Sequence, residues 1–254
     1  KGGEGTIRGG NRNKLLTELK VKKLWDEVRA ILSEQMPGLP AACFGAMKAD
    51  LPQANVFGGV SVNLAFTTGA AQMKPSLFTA VSDVQENDQH SGAEHLGLKE
   101  LNSGVFCEPA LVNTEQMRTN LSYLSPAQFN EAMSGVYRAL ALVTPSAGQR
   151  AHLTRSFPEL VVNVVSDLQP ISFESAFVKP IKGGTEQGDM AESAKQLVSH
   201  INGFEQFLGA SSSAYQVIVL GTPAVMAELD IPENWIVVSS LDEMIAKTNE
   251  LTGV

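Results

Sequence analysis

From Lys14 onward, apolar residues recur at three- and four-residue intervals, at Leu15, Leu16, Leu19, Leu24, Trp25, Val28, Ile31 and Leu32. This predicts an amphipathic helix whose polar face carries Lys20, Lys22 and Lys23. Pro37 and Pro40 stop it, and a short apolar segment over 41–47 leads to a turn at Asp50-Leu51-Pro52-Gln53. Val60, Val62, Leu64 and Phe66 then alternate with Ser61, Asn63, Ala65 and Thr67, and period two predicts one half-buried strand. A second strand is predicted from Val105 to Val112. Ser125-Pro126-Ala127-Gln128 supplies an N-cap, Pro at the first helical position and Gln three residues on, so a helix starts there. It runs through Phe129, Met133, Val136, Tyr137 and Leu140 and ends before Pro145. The near-continuous apolar run Leu160 to Val165 predicts a central strand covered on both faces. After a Gly- and charge-rich linker, Lys179 to Asp189, come a helix from Ala191 to Leu208 and strands at 215–220 and 235–238. A second capping box, Ser240 to Glu243, opens a last helix holding Met244, Ile245 and Leu251. Strands and helices mix without strict βαβ alternation, so the expected fold is α+β with an antiparallel sheet.

The stretch Leu77 to Phe106 breaks this pattern. Phe78, Ala80 and Val84 lead into Gln85-Glu86-Asn87-Asp88-Gln89-His90-Ser91-Gly92, which has almost nothing to bury, and apolar residues return at Leu96, Leu98, Leu101, Val105 and Phe106. Two ordered arms around a polar, Gly-bearing tip predict a projecting hairpin.

Composition narrows the function classes. Of 254 residues, 43% are hydrophobic and 18% charged, as in a globular protein. No apolar run reaches about 18 residues, so no transmembrane helix is expected. No signal peptide is visible, and because the first residue is Lys1 the sequence is expected to be part of a longer encoded chain. Cys43 and Cys107 lack the spacing of a disulfide framework or zinc site, which fits a reducing cytoplasm. The net charge of −8 argues against a generally basic coat, yet residues 1–30 carry eight basic and four acidic side chains. A net +4 end on a −12 remainder can meet phosphate locally; a solvated helix face explains the same pattern.

Candidate chemistry first falls on Asp83, Glu86, Asp88, His90, Glu94 and His95, six oxygen or imidazole groups within thirteen positions. A solvated tip does not supply the desolvated setting that tunes a catalytic group, and no tight metal-ligand spacing is present. Gly183-Gly184-Thr185 lacks the strand and helix of a phosphate loop, Gly58-Gly59 reads as a turn or close-approach pair, and no Gly-x-Ser-x-Gly elbow occurs. A binding signal remains at Gln149-Arg150-Ala151-His152 with Arg155, donors on a Gly-containing loop that suit phosphate or sugar contacts. A surface turn with a solvated Arg fits the same residues.

Several segments together carry a resemblance. Leu77 to Gln85, Ala93-Glu94-His95-Leu96-Gly97 and Glu100 to Phe106 stand in order with Gly45-Ala46-Met47, Gly59 to Thr68, Gln149-Arg150 and Ser175 to Pro180. These resemble the CasC-type backbone protein of the type I CRISPR surveillance complex Cascade, nearest to subtype I-E, in the RAMP superfamily. The resemblance covers 41–182 well and the last 70 residues loosely. It implies a modified RRM or ferredoxin-like fold with three parts: a basic helix region over 1–40, a palm over 41–182 with a hairpin thumb at about 72–98, and a helix-strand-helix over 183–254 completing the palm. It further implies a non-catalytic, cytoplasmic subunit without cofactor or metal. Copies would line up on the guide RNA (crRNA) while thumbs displace nucleotides at intervals, target DNA pairs with the guide, and other Cascade subunits join. The implied RNA-binding residues are Met47, Lys48, Phe78, Thr79, Gln149, Arg150, Lys20 and Lys23. An apolar wedge at the thumb base suits single-stranded RNA, which is read through stacking and backbone shape. The alternative is a metal-dependent ribonuclease like type III relatives, with Asp83 or Asp88 as the cutting residue. Two substitutions depart from the family pattern: Gly69 stands where a histidine follows the Thr-Thr pair, and Leu77 where an aromatic precedes the thumb phenylalanine. The family's opening strand and basic Ser-Ser-Gln helix also have no counterpart before Lys14, and the acidic total favours their omission over divergence.

Overall fold

The computed structural model describes residues 23–24, 27, 36–49, 52–70, 72–80, 95–143, 156–182, 186–209 and 215–254. Most of the predicted first helix lies outside these residues; Lys23, Leu24 and Glu27 are helical. The chain divides into two units, Lys1–Ser61 with Leu111–Ala132, and Val62–Ala110 with Met133–Val254. Among the described residues no helix is long and apolar enough to cross a membrane.

In the first unit a short helix, Leu39–Phe44, begins with Pro40 in its opening turn, where a missing N–H goes unnoticed. It ends at Gly45, whose φ of +83° is costly for any other residue. The helix Thr114–Asn120 is capped by Asn113, whose side chain accepts from the Gln116 N–H at 2.9 Å. Met117 and Leu121 are buried, and the Arg118 guanidinium lies 5.0 Å from the centre of the Phe129 ring. The predicted capping box at Ser125 is present. The Gln128 N–H donates to Ser125 Oγ, Gln128 Oε1 accepts from the Ser125 N–H at 3.0 Å, and the helix runs Pro126–Leu142.

The two long strands predicted on either side of the hairpin are each broken. The first divides into β1 (Val60–Val62) and β2 (Phe66–Thr67), and the second into β5 (Phe106–Cys107) and β6 (Ala110–Val112). β1 pairs with β6, and β2 runs antiparallel to β5 with Phe66 opposite Cys107. Between them Asn63 diverts the backbone: its N–H donates to the Pro109 carbonyl at 3.0 Å, its side-chain amide donates to Glu174, and its Oδ1 accepts from the Leu64 N–H at 2.8 Å. Leu64 consequently faces solvent, not a core. Pro109, with no N–H to give a ladder, marks the break on the other strand.

The main core of the second unit is built on β7 (Leu160–Ser166), β8 (Tyr215–Gly221) and β9 (Ile236–Val237), in the order β7-β8-β9. β7 and β8 are antiparallel, and β8 and β9 are parallel. One face carries Tyr215, Val217 and Val219 against Val198, Ile201 and Trp235, joined by Leu160, Val162 and Val164. The other carries Ile218 against Val238 and Met244, joined by Val161 and Val165. The run Leu160–Val165 thus feeds both faces as expected, but among the described residues the central strand is β8, and β7 lies at the edge.

The helix Glu186–Leu208 begins five residues before the predicted start and takes up the end of the expected linker. Its Gln196 side chain donates to the Ala176 carbonyl and, at 3.3 Å, to that of Lys179. His200 Nε2 lies 2.9 Å from Ser175 Oγ with its ring edge-on to Phe173, so the turn Glu174–Phe177 is pinned to the helix. The last helix, Leu241–Thr252, is capped as predicted by Ser240 Oγ accepting from the Glu243 N–H. The Glu243 carboxylate reaches one residue further back than a capping box requires, to the Ser239 N–H and hydroxyl, both at 2.8 Å. Those two donors hold its carboxyl below the usual range. Gly253, at φ +65°, ends the helix in left-handed geometry.

A polar knot lies within the second unit. Thr68 is buried, with its N–H donating to the Val105 carbonyl at 2.9 Å and its own carbonyl accepting from the Ile181 N–H at 2.9 Å. Its hydroxyl lies 2.7 Å from Ser193 Oγ, which in turn donates to the Asp189 carbonyl at 2.6 Å. Thr68→Val is expected to destabilise the protein by about 1–3 kcal/mol, because the buried Ser193 hydroxyl loses a donor. Thr68→Val/Ser193→Ala should cost less than the sum of the single changes, as measured by urea denaturation of all four proteins. Simple additivity would show that the two hydroxyls do not interact.

Candidate nucleic-acid interface

Directly after the Thr68 knot the chain enters β3 (Gln72–Ala80), which pairs antiparallel with β4 (His95–Ser103) over nine residue pairs, from Gln72 opposite Ser103 to Ala80 opposite His95. At about 3.3 Å per residue this ribbon is about 30 Å long. Among the described residues its sheet has two strands, so each is an edge there. Pro75 is tolerated there for that reason, and it joins Lys74, Lys99 and Glu100 in discouraging indiscriminate strand addition.

The register sorts the side chains onto two faces. Lys74, Ser76 and Phe78 of β3 share one face with Leu101, Lys99 and Gly97 of β4. Met73, Pro75, Leu77 and Thr79 share the other with Asn102, Glu100, Leu98 and Leu96. Met73, Leu77, Leu96 and Leu98 are all exposed, and none belongs to either core cluster of the second unit. Phe78, at 47%, is less exposed than these, and its ring lies across Gly97. A lone two-stranded ribbon is at best marginally stable in water, so apolar side chains displayed along one call for a partner.

Met47 and Lys48 belong to the first unit and sit beside the antiparallel bridge between Ala46 and Val56. The Lys48 N–H donates to Asn55 Oδ1 at 2.7 Å. Met47 is 86% exposed and Phe57, on the other arm of the bridge, is 80% exposed, with Phe44 also at the surface. Three close approaches make the frame under them stiff. A Cβ on Gly58 would lie 2.7 Å from the Cys43 carbonyl oxygen, and one on Gly45 would lie 2.9 Å from that of Val56. The Asn120 side chain donates to the Ala42 and Phe57 carbonyls at 2.9 and 2.7 Å. Phe44 and Phe57 were not among the expected site residues. Gly58-Gly59 beside Phe57 was the available signal, since a glycine pair that lets backbones meet also pushes a neighbouring side chain outward.

Of the other expected site residues, Thr79 is exposed on the ribbon opposite Leu96, and Lys23 is exposed on its helix. Lys20, Gln149 and Arg150 lie outside the described residues, as do Asp83, Glu86, Asp88, His90 and Glu94. Burial pushes the thiols of Cys43 and Cys107 above their ordinary values, so neither is poised as a nucleophile.

Comparisons with known proteins agree with this architecture. The fold matches a chain of a "CRISPR RNA-guided surveillance complex, pre-nicking" with a TM-score of 0.72 and 23% identity, over 88% of this chain and 58% of that one. The present chain therefore spans less than two thirds of that relative's length. A chain of a second "CRISPR RNA-guided surveillance complex" matches with a TM-score of 0.68 and 24% identity, over 87% of this chain and 82% of that one. No curated protein matches the sequence. Both structural matches bear out the α+β, RRM-like fold and agree with the resemblance read from the sequence. The profile of the CT1975-like protein family matches residues 6–246, nearly the whole sequence, and the chain belongs to that family.

Proposed function

We propose that this chain is a crRNA-binding backbone subunit of a Cascade-type CRISPR surveillance complex, with a structural and not a catalytic role. The observation that carries the reading is the β3–β4 ribbon, which displays Met73, Leu77, Phe78, Leu96 and Leu98 to solvent. Such a ribbon makes physical sense as a thumb, about 72–98, that gains its contacts from RNA and from neighbouring subunits. Family membership and the likeness to chains of RNA-guided surveillance complexes support the same reading.

In this scheme copies of the chain line up head to tail along the guide, an arrangement that forms an open filament and not a ring. Target DNA pairs with the guide, other Cascade subunits complete the assembly, and the complex works in the cytoplasm without cofactor or membrane. The RNA-contacting set is Met47, Lys48 and Phe78 and, from the other face of the ribbon, Thr79, with Lys20, Lys23, Gln149 and Arg150. The domain scheme is a basic helix region over 1–40, a palm over 41–182 and a closing segment over 183–254. Met47 and Phe57 offer polarizable and aromatic surfaces to unstacked bases, and cations nearby meet phosphate.

The chain purified at low salt should carry short, ribonuclease-sensitive nucleic acid and elute well above its 27.1 kDa monomer mass. Its affinity for single-stranded RNA should fall steeply with salt and depend little on sequence. A monomer that retains no RNA and binds none would overturn the reading, as would Mg²⁺-dependent cleavage of bound RNA abolished by Asp83→Asn. Met47→Ala and Phe57→Ala should each weaken RNA binding by about 1–3 kcal/mol in a titration with labelled RNA, the usual worth of one stacked base. Because both side chains are exposed, their thermal stability should change by only about 0.5 kcal/mol or less.

A further inference from the structure

The geometry points to Gly97 as a positioning residue. It lets the Phe78 ring lie flat across β4, so that the ring and the two lysines on the same face, Lys74 and Lys99, form the surface of the ribbon that receives single-stranded RNA. This rests on the RNA-binding reading above and adds to it which face of the ribbon is used and what sets that face.

Phe78 and Gly97 are directly opposite in the register. A Cβ placed on Gly97 would lie 2.4 Å from Phe78 Cζ and 2.8 Å from Cε1, closer than real Cβ atoms approach anything. The contact is with the far edge of the ring, so a larger residue at 97 does not block the strand pairing. It lifts the ring instead. Glycine in a strand interior gives up packing and backbone entropy, and here neither a positive φ nor a close backbone approach calls for it. The flat ring does call for it. Lys99 is diagonal to Phe78 across the ladder, and Lys74 lies four residues before it on the same face; both are exposed. An aromatic plane flanked by cations is the pattern that takes a base by stacking and its phosphates by charge. The opposite face carries Met73, Leu77, Leu96 and Leu98 with Glu100 and no lysine, so it lacks both halves of that pattern.

The test measures binding of an unstructured single-stranded RNA carrying 2-aminopurine at successive positions, with the full chain and its variants. Gly97→Ala should weaken binding at least about fivefold and lose the 2-aminopurine signal of the stacked position, as should Phe78→Leu. Leucine has no atom where Cζ stands, so Gly97→Ala in the Phe78→Leu background should add nothing further. Lys74→Ala and Lys99→Ala should each lower the slope of log affinity against log salt by about 1. If Gly97→Ala binds as the unsubstituted chain does, or weakens binding equally in both backgrounds, Gly97 does not act through the ring and the inference fails while the RNA-binding reading stands. Unchanged salt slopes overturn the face assignment. No RNA binding by the unsubstituted chain overturns the functional reading itself.

Discussion

The β3–β4 ribbon cannot hold itself in place, and what holds it is the buried knot at Thr68. The ladder begins four residues after Thr68 and ends two residues before Val105, to whose carbonyl the Thr68 N–H donates. Both feet of the ribbon are therefore tied at one point, and the hydroxyl pair with Ser193 ties that point to the helix Glu186–Leu208. Every polar atom of Thr68 has a partner inside the protein, which matters because a buried polar atom without one costs more than a made hydrogen bond returns. An anchored base and an unburied shaft fit an element that grips something outside the fold.

The ribbon's two faces ask for different partners. A ring with two cations suits a polyanion bearing planar bases, whereas four aliphatic side chains with one carboxylate suit an apolar protein surface. One ribbon can serve both only if its register is exact, because a slip of one residue would exchange the faces. The fit of Phe78 over Gly97 opposes such a slip. Displaced by one position, the ring would face Leu96 or Leu98, and either would fill the space it occupies. The same contact that lays the ring flat therefore helps keep Lys99 on its side, while Lys74, on the ring's own strand, shares its face in any register.

What was legible in the sequence was local. Both capping boxes, at Ser125 and Ser240, need only residues within one turn, and both stand where the pattern put them. The hairpin was legible because apolar-bearing arms around a polar, Gly-bearing tip are a short-range signal. The broken strands were not, because the break at Asn63 depends on Pro109 and Glu174, far away in the chain. The central position of β8 was hidden for a related reason: Leu160–Val165 and Tyr215–Leu220 are both apolar runs, and only the partner β9 decides which lies inside. At the candidate site Met47 and Phe78 came from resemblance and not from pattern. Phe57 went unnoticed because its exposure follows from the meeting of Gly45 and Gly58 with backbone across the Ala46–Val56 bridge.

Gly69, which follows Thr68 directly, has its own place in the same knot. A Cβ there would lie 2.7 Å from the Ile181 carbonyl oxygen, a backbone atom that cannot swing aside. Gly69 forms an isolated parallel bridge with Ile181, and the Ile181 N–H donates to the carbonyl of Thr68, one residue earlier. A histidine at 69 would have to push that segment off, and the bond that uses the Thr68 carbonyl would go with it. The segment in turn leads from the Glu174–Phe177 turn to the helix that carries Ser193, so displacing it would loosen the ribbon's anchor from a second side. In this chain glycine at 69 is therefore part of the anchor: absence of a side chain lets the Ile181 backbone stand where a Cβ would be.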